Sequence, residues 1–389
     1  MIRKIGLFGL ISFFYLVSYS QTVGVEKKII WEKGEGNYNN YRIPSLIVAP
    51  NGDLLAFCEG REGGDAGDIN ILLKRSNNMG KSWSEEIIIW DDDHNTCGNP
   101  CPVVDQLTGR IWLFLTWNLG TDHEKLIIRK ESKDTRQPYL CFSDDNGITW
   151  STPTEMTKTC KDPDWGWYAT GPGIGIQMNS NEFKGRLIIP ANHSYDNPEG
   201  NMDNGHFGYG SHVLISDDHG KTWRRSESIR PGCNESQVVE LTDGTLMINM
   251  RSYNEEYCRA VARSTDGGET WSEIWHDRQL VESRCQASII NYGKYQGNNL
   301  LLFSNPAVAK GRTHMTIRVS NNDGKNWQIS RLINPGPSGY SCLTRLENGY
   351  IGILYECGDI RNYQRIVFQK FSPGGLFRRI KRKNPHMEY

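Results

Sequence analysis

Three arginines and a tyrosine in this chain are of the types that could handle an acidic ligand. Arg42, Arg251 and Arg312 lie far apart along the sequence, and Tyr340 follows the last of them. The planar guanidinium fork suits a carboxylate, and several forks together would hold one carboxylate rigidly. Taken singly, each arginine could instead make an ordinary surface ion pair. A shared site therefore requires a fold that brings these distant residues together.

An eight-residue pattern that recurs five times is the first indication of that fold. It reads Ser-x-Asp/Asn-x-Gly-x-Thr/Ser/Asn-Trp, and its copies are 76–83, 143–150, 216–223, 264–271 and 320–327. Asp or Asn at the third position can accept bonds from the following backbone amides, and Gly at the fifth permits a positive φ. We predict five turns, each closed by a tryptophan that packs beneath neighbouring strands.

Short apolar segments around these turns predict the strands. Six units each begin with two such segments joined by a Gly/Asn/Asp turn, and in five of them a third segment leads into the octapeptide and a fourth follows it. The pattern predicts an all-β fold, a six-bladed β-propeller with four-stranded antiparallel blades. A strand near 28–32 would complete the last blade. An open solenoid is the rival architecture, but no capping repeats are evident.

The predicted topology places the candidate residues on one rim of the propeller. Antiparallel strands alternate in direction, so the starts of first strands, the ends of second strands and the loops between second and third strands share that rim. The chemically capable residues at those places include Arg42, Arg61, Asp65, Asp122, Glu235, Arg251, Arg312, Tyr340 and Glu356. The octapeptides join third to fourth strands and fall on the opposite rim, where we expect a structural role.

The segments around these residues resemble the motifs of the bacterial and animal exo-sialidase (neuraminidase) family. The run Tyr41-Arg42-Ile43-Pro44 is similar to the RIP motif of that family, and the octapeptides are similar to its Asp boxes. Further similar segments are 65–69, 116–120, 234–237, 249–252, 311–312, 339–341 and 354–356, so the resemblance spans about 32–371. Asn replaces the usual Asp in two boxes, at 78 and 322, and keeps the side-chain acceptor.

The resemblance implies a retaining exo-α-sialidase that hydrolyses terminal sialic acid through a tyrosyl-enzyme intermediate. Sialidases with a tyrosine nucleophile are a recognised exception among glycosidases. The implied roles are carboxylate binding by Arg42, Arg251 and Arg312, nucleophilic attack by Tyr340, activation of that tyrosine by Glu235, general acid and base catalysis by Asp65, sugar binding by Arg61 and Asp122, and orientation of Arg42 by Glu356. The tryptophans at 117, 165 and 167 could wall a pocket for the N-acetyl methyl or simply pack.

No step of this mechanism needs a metal or an organic cofactor, and we expect neither. The expected partners are sialylated glycoproteins, glycolipids or oligosaccharides. Three alternatives stay open: a trans-sialidase or an enzyme that forms an anhydro-sugar, a non-catalytic Asp-box propeller that binds glycans, and a glycosidase for another acidic nonulosonic sugar. The formal net charge of −1 argues against nucleic acid as a partner.

The two ends of the chain differ in composition from the middle. Arg3 and Lys4 precede an apolar run over 5–17, and Ser18 and Ser20 supply a small-residue cleavage site. This pattern predicts a signal peptide over 1–20 and secretion to the periplasm, the cell surface or the medium, with no transmembrane segment in the mature chain; a membrane anchor is the alternative. We assign 21–377 to the propeller and 378–389 to a basic tail. The pairing of the ten cysteines stays open.

Overall fold

The computed structural model describes residues 27–179, 182–198 and 206–377, and these form an all-β protein. Within those ranges the chain has twenty-four strands and three short helices. The predicted signal peptide and basic tail lie outside the described residues. None of the described helices is long and apolar enough to cross a bilayer.

The strands follow one another with few helical interruptions. In chain order they are β1 (Lys27–Glu32), β2 (Asn40–Val48), β3 (Leu54–Arg61), β4 (Ile69–Ser76), β5 (Ile87–Trp90), β6 (Thr96–Val104), β7 (Ile111–Asn118), β8 (Gln137–Ser143), β9 (Thr154–Glu155), β10 (Tyr168–Thr170), β11 (Ile176–Gln177), β12 (Leu187–Asp196), β13 (Phe207–Ser216), β14 (Arg224–Arg225), β15 (Cys233–Glu240), β16 (Leu246–Ser252), β17 (Cys258–Ser264), β18 (Trp275–Val281), β19 (Ser288–Tyr295), β20 (Asn298–Pro306), β21 (Thr313–Ser320), β22 (Ile329–Arg345), β23 (Ile351–Cys357) and β24 (Arg365–Phe371). The helices are α1 (Glu124–Ile128), α2 (Thr157–Cys160) and α3 (Pro373–Phe377).

Nearly all strand pairs are antiparallel, as expected for chain neighbours joined by short turns. One sheet runs β15-β16-β17-β18, and a second runs β10-β12-β13-β14 with β11 also on β12. A third runs β1-β24-β23-β22-β21-β20-β19, so the first described strand completes a sheet made by the last part of the chain. The fourth contains β2 to β9 and is joined between β4 and β6 by a single parallel pair, Ile69 with Thr96.

The octapeptides form side-chain-stabilised turns. In the second copy, Ser143 Oγ accepts a bond from the amide of Gly147 (2.8 Å), and Asp145 Oδ1 accepts one from the amide of Thr149 (2.9 Å). Asn78 Oδ1 accepts the equivalent bond from the amide of Ser82 at 2.9 Å, so asparagine can replace aspartate as the acceptor in this turn. Four of the closing tryptophans pack on phenylalanines with ring centres 4.8 to 5.8 Å apart.

The segment 171–175 is hydrogen-bonded to β2 and β6, and also to β12 and β15 of two other sheets. Ser45 Oγ of β2 donates to the carbonyl of Gly173 (2.7 Å), and the amide of Gly175 donates to the carbonyl of Pro102 in β6 (2.9 Å). Gln286 Nε2 donates to the carbonyl of Pro172 (3.2 Å) and also to that of Ser341 in β22 (3.0 Å). The ends of these strands are thereby held at fixed separations.

The ten cysteines are all buried and unpaired. Eight of them lie within strands, Cys160 ends α2 and Cys285 lies in the loop before β19, and in these buried places a thiol packs as a small apolar side chain. Burial raises the pKa of several of these thiols, to about 11 for Cys285 and about 12 for Cys342. The structure therefore contains ten free thiols and no disulfide among these cysteines.

Candidate active site

A cavity of about 540 Å³ gathers most of the residues singled out in the sequence. Seven of the nine predicted site residues line it: Arg42, Arg61, Asp65, Glu235, Arg251, Arg312 and Tyr340. They come from β2, β3, β15, β16, β22 and two loops, which span nearly 300 positions of the chain. No group of three or more metal-ligating side chains occurs among the described residues.

Strand irregularities aim these side chains into the cavity. The pairing of β2 with β3 shifts register between Arg42 and Ser45, and Ile43 adopts a positive φ of 61° there. Similar shifts occur in β15 between Cys233 and Ser236, beside Glu235, and in β22 between Ser338 and Ser341. A bulge breaks the alternation of a strand and redirects a side chain, so each shift turns one polar group toward the cavity.

Tyr340, Glu235 and Arg251 form a hydrogen-bonded unit. The Tyr340 hydroxyl donates to Glu235 Oε1, and Arg251 Nη1 donates to Glu235 Oε2 at 2.8 Å. Burial and the Glu235 carboxylate raise the pKa of the Tyr340 phenol well above its ordinary value, although Arg251 and Arg312 act in the opposite direction. The phenol is therefore protonated at neutral pH, and the carboxylate that would take its proton is already bonded to it.

Glu356 lies beneath the cavity and organises two of its residues. Its Oε1 accepts bonds from Arg42 Nε (2.7 Å) and from the amide of Ile43 (2.9 Å). Its Oε2 accepts a bond from the amide of Tyr340 at 2.8 Å. The carboxylate is completely buried and does not line the cavity, so it acts on a ligand only through Arg42 and Tyr340.

Asp65 lies at the mouth of the cavity, where its side chain is 80% exposed. Arg61 Nη1 donates to Asp65 Oδ1, and Arg42 Nη1 lies 3.6 Å from the same oxygen. Partial desolvation acts to raise the pKa of this carboxyl, but the charges of Arg61 and Arg42 outweigh it and hold the pKa below its ordinary value. Asp65 is therefore ionised at neutral pH.

Arg42, Arg251 and Arg312 surround Tyr340 and make this end of the cavity strongly positive. The guanidinium carbons of Arg42 and Arg312 lie 5.1 and 5.6 Å from the centre of the Tyr340 ring, and Arg251 Nη1 lies 3.4 Å from its hydroxyl. Three forks around one small volume match the geometry of a single bound carboxylate.

Two predicted features lie elsewhere. Asp122 is buried, accepts bonds from the amides of Lys133 (3.2 Å) and Asp134 (2.8 Å), and does not line the cavity, so it supports a loop. Of the three tryptophans, only Trp167 lines the cavity. Trp165 stacks on His193 at 3.5 Å, and Trp117 donates to Asp92 at 2.6 Å. The residue type alone does not show that Asp122, Trp165 and Trp117 have these local partners.

Several cavity residues were not anticipated from the sequence. Arg136 is buried, stacks over Trp167 at 4.4 Å and donates to Asn99 at 2.6 Å and Thr116 at 2.7 Å; burial lowers its pKa to about 10. The other unanticipated lining residues include Asn99, Glu124, Tyr209, Tyr253 and Tyr363. The rim rule that selected Arg312 applies equally to Tyr363, since it lies in the loop between β23 and β24. The same rule applies to Arg136, which lies in the loop between β7 and β8.

Comparison with known proteins gives consistent matches. Residues 52–353 match the family model described as a BNR repeat-like domain. The chain is 34% identical to a sialidase of Micromonospora viridifaciens over 84% of its own length and 51% of that protein, and 30% identical to an exo-alpha-sialidase of Aspergillus fumigatus over 86% of its own length and 84% of that protein. It therefore spans about half the length of the first relative.

Solved structures show the same likeness. A structure titled Hadza microbial sialidase Hz136 superposes with a TM-score of 0.76 at 33% identity, covering 87% of this chain and 67% of that one. An intramolecular trans-sialidase from Ruminococcus gnavus superposes with a TM-score of 0.75 at 21% identity, over 90% of this chain and 98% of that one. At that lower identity the second match concerns the fold alone.

Proposed function

The chain belongs to the sialidase family, and we propose that it is an exo-α-sialidase that removes terminal sialic acid from glycoconjugates with retention of configuration. The observation that carries this proposal is the convergence of Arg42, Arg251 and Arg312 around a tyrosine that is already bonded to Glu235. A sialic acid carries its carboxylate on the anomeric carbon. Anchoring that carboxylate on the three forks therefore places the reacting carbon beside the Tyr340 oxygen.

The identity of the nucleophile follows from charge. A carboxylate nucleophile would be repelled by the substrate carboxylate, whereas the neutral Tyr340 phenol is not. As the Tyr340 oxygen bonds to the anomeric carbon, Glu235 Oε1 takes the phenolic proton and the glycosidic bond breaks. Water then displaces the tyrosine at the same carbon. Two inversions give overall retention.

Asp65 is assigned the proton transfer to the leaving oxygen, and then the activation of water. Its carboxyl is ionised before substrate binds, because Arg61 and Arg42 hold its pKa low. A substrate carboxylate bound to Arg42 would neutralise part of that positive field. The pKa of Asp65 would then rise in the complex, and the acid form would be available when the leaving group needs it. Arg61, which lines the cavity beside Asp65, is assigned contact with the sugar.

We also propose that the sheets form the six blades of a closed propeller, and this is consistent with the contacts between strands. β2 contacts β6, β6 contacts β12, β12 contacts β15, β15 contacts β19, β19 contacts β22, and β22 contacts β2. This cycle has six members and surrounds the segment 171–175. Completion of the last sheet by β1 would close the ring. Export by the signal peptide over 1–20 would bring the enzyme to extracellular sialylated glycans.

The experiment that tests the function is release of fluorescence from 4-methylumbelliferyl sialic acid by the wild type and by Tyr340→Phe. Turnover by the wild type with a loss of at least about 10³-fold in the variant is expected, because the nucleophilic oxygen is gone. Mass analysis of the product from sialyllactose distinguishes free sialic acid from an anhydro-sugar or a transfer product. Binding of sialylated glycans without turnover would instead indicate a glycan-binding propeller.

A further inference from the structure

Tyr363 contacts two of the three arginines of the anion site. The guanidinium carbon of Arg42 lies 3.8 Å from the centre of the Tyr363 ring, and Arg312 Nη1 donates a hydrogen bond to the Tyr363 hydroxyl. The ring also lines the cavity. One side chain is thus in contact with guanidinium groups that belong to β2 and to the loop before β21.

Arg42 and Arg251 each have a carboxylate partner, so the contact with Tyr363 matters most for Arg312. Arg42 Nε is bonded to Glu356 at 2.7 Å, and Arg251 Nη1 is bonded to Glu235 at 2.8 Å. No carboxylate pairs with Arg312 in the described part of the chain. Its guanidinium donates hydrogen bonds there to the Tyr363 hydroxyl and to the carbonyl of Arg284 (3.0 Å), besides lying over the Tyr340 ring. Tyr363 therefore supplies the side-chain contact that orients the unpaired arginine.

A tyrosine suits this position because it orients cations without neutralising them. Burial raises the pKa of the Tyr363 phenol despite the opposing charge of Arg42, so the group is neutral in the working range of the protein. The face of the ring attracts Arg42 and the hydroxyl oxygen accepts from Arg312. A carboxylate at this place would compete with the substrate carboxylate for both arginines.

The loop between β23 and β24 holds Tyr363 firmly. Gln364 Oε1 accepts bonds from the amides of Asp359 (2.9 Å), Ile360 (2.8 Å) and Arg361 (3.0 Å). Asn362 Nδ2 donates to the carbonyl of Ser338 at 2.8 Å and to that of Arg312. The loop is therefore bonded both to the backbone of Arg312 and to β22 two positions before Tyr340.

We infer that Tyr363 is a positioning residue that holds the guanidinium groups of Arg42 and Arg312 in register for the carboxylate of the sugar. The inference rests on the proposed function for the nature of that ligand. Arg251, the third arginine, is held independently by Glu235. Loss of Tyr363 should accordingly weaken carboxylate recognition while leaving the Tyr340–Glu235 pair intact.

The test compares Tyr363→Phe and Tyr363→Leu with wild type in binding the 2,3-unsaturated sialic acid analogue and its methyl ester, both titrated by NMR. The Phe variant keeps the ring beneath Arg42 but loses the bond to Arg312, so affinity for the acid should fall about tenfold. The Leu variant loses both contacts, and affinity for the acid should fall about 30-fold or more. Affinity for the ester should change less than about twofold, because the charged group is absent.

Tyr350→Phe serves as the matched control, since Tyr350 lies outside the cavity in the turn before β23. Equal losses of affinity for the acid and the ester would overturn the inference, because they would indicate a collapsed cavity. Unchanged affinity for the acid in both variants would overturn it as well. The binding readout does not require turnover, so a wild type that binds the acid but releases no sugar would refute the proposed hydrolysis and still test Tyr363.

Discussion

The octapeptide turns and the candidate active site differ in how far along the chain their bonds reach. The bond between Ser143 and Gly147 joins residues four positions apart, as does the bond between Asp145 and Thr149. In the site, the bond between Tyr340 and Glu235 spans 105 positions and the one between Arg42 and Glu356 spans 314. The turns are encoded locally and repeated, whereas these two site bonds each occur once and depend on the whole fold. Substitutions should therefore affect stability in the turns and catalysis in the site.

Asp65→Ala should give the largest difference between an effect on catalysis and an effect on stability. A natural sugar leaving group needs protonation, so turnover of sialyllactose should fall about 10²- to 10⁴-fold. An umbelliferyl leaving group departs without a proton, so its release should fall far less. Thermal unfolding should be nearly unchanged, because the side chain is exposed. Equal losses on the two substrates would remove the acid role from Asp65.

Arg251→Lys should produce the next largest effect. Lysine keeps the charge but lacks the fork that bonds Glu235 at 2.8 Å and faces the carboxylate, so kcat/KM should fall about 10²-fold. The matched control is Arg278→Lys, because Arg278 makes its ion pair with Glu256 on an exposed surface. Steady-state kinetics on the umbelliferyl substrate measures both. A wild-type KM for Arg251→Lys would count against carboxylate binding by the three arginines.

In the turns, Asp145→Ala should affect stability and leave the chemistry unchanged. The substitution removes the acceptor used by the amides of Ile148 and Thr149 (3.1 and 2.9 Å), which should cost about 1–2 kcal/mol of unfolding free energy. Asp145→Asn should cost much less, since Asn78 fills the same role in the first turn. Urea unfolding with parallel kinetics measures both quantities. A lower kcat in a variant of unchanged stability would contradict this prediction, because it would show that the turn affects catalysis.

The smallest effect is the pH dependence of that same turn. Bonds from Thr149 and Ser143 outweigh desolvation and lower the pKa of Asp145 to about 2. A carboxyl whose pKa is lower in the folded state than in the unfolded state stabilises the protein above its unfolded pKa, about 3.9. The advantage of wild type over Asp145→Asn should therefore be present at pH 6 and shrink as the pH falls from about 4 toward 2. An advantage that grows on acidification would contradict this origin.

Much of the fold could be predicted because it is built from local signals. The octapeptides specify their turns through a Ser, an Asp or Asn and a Gly within eight residues, and the all-β architecture follows from the strands between them. Seven site residues could also be named, because their motifs are contiguous and the topology assigns them to one rim. The predicted role of Glu356 was to orient Arg42, and its carboxylate is bonded to Arg42 and to the amide of Tyr340.

The remaining features depend on partners that the sequence does not place next to one another. Asp122 and Arg136 illustrate this. The Asp122 carboxylate accepts from amides of its own loop. The Arg136 guanidinium is held at the cavity by contacts with Asn99, Thr116 and Trp167. Register shifts within β2, β15 and β22 decided which side chains point inward, and a bulge depends on the neighbouring strand. The amino-acid sequence by itself determined the repeats, the strands and the chemical types at the site. Only the tertiary structure decided which of the distant groups meet, because the bonds from Tyr340 to Glu235 and from Arg42 to Glu356 join segments whose separation is set by the packing of the sheets.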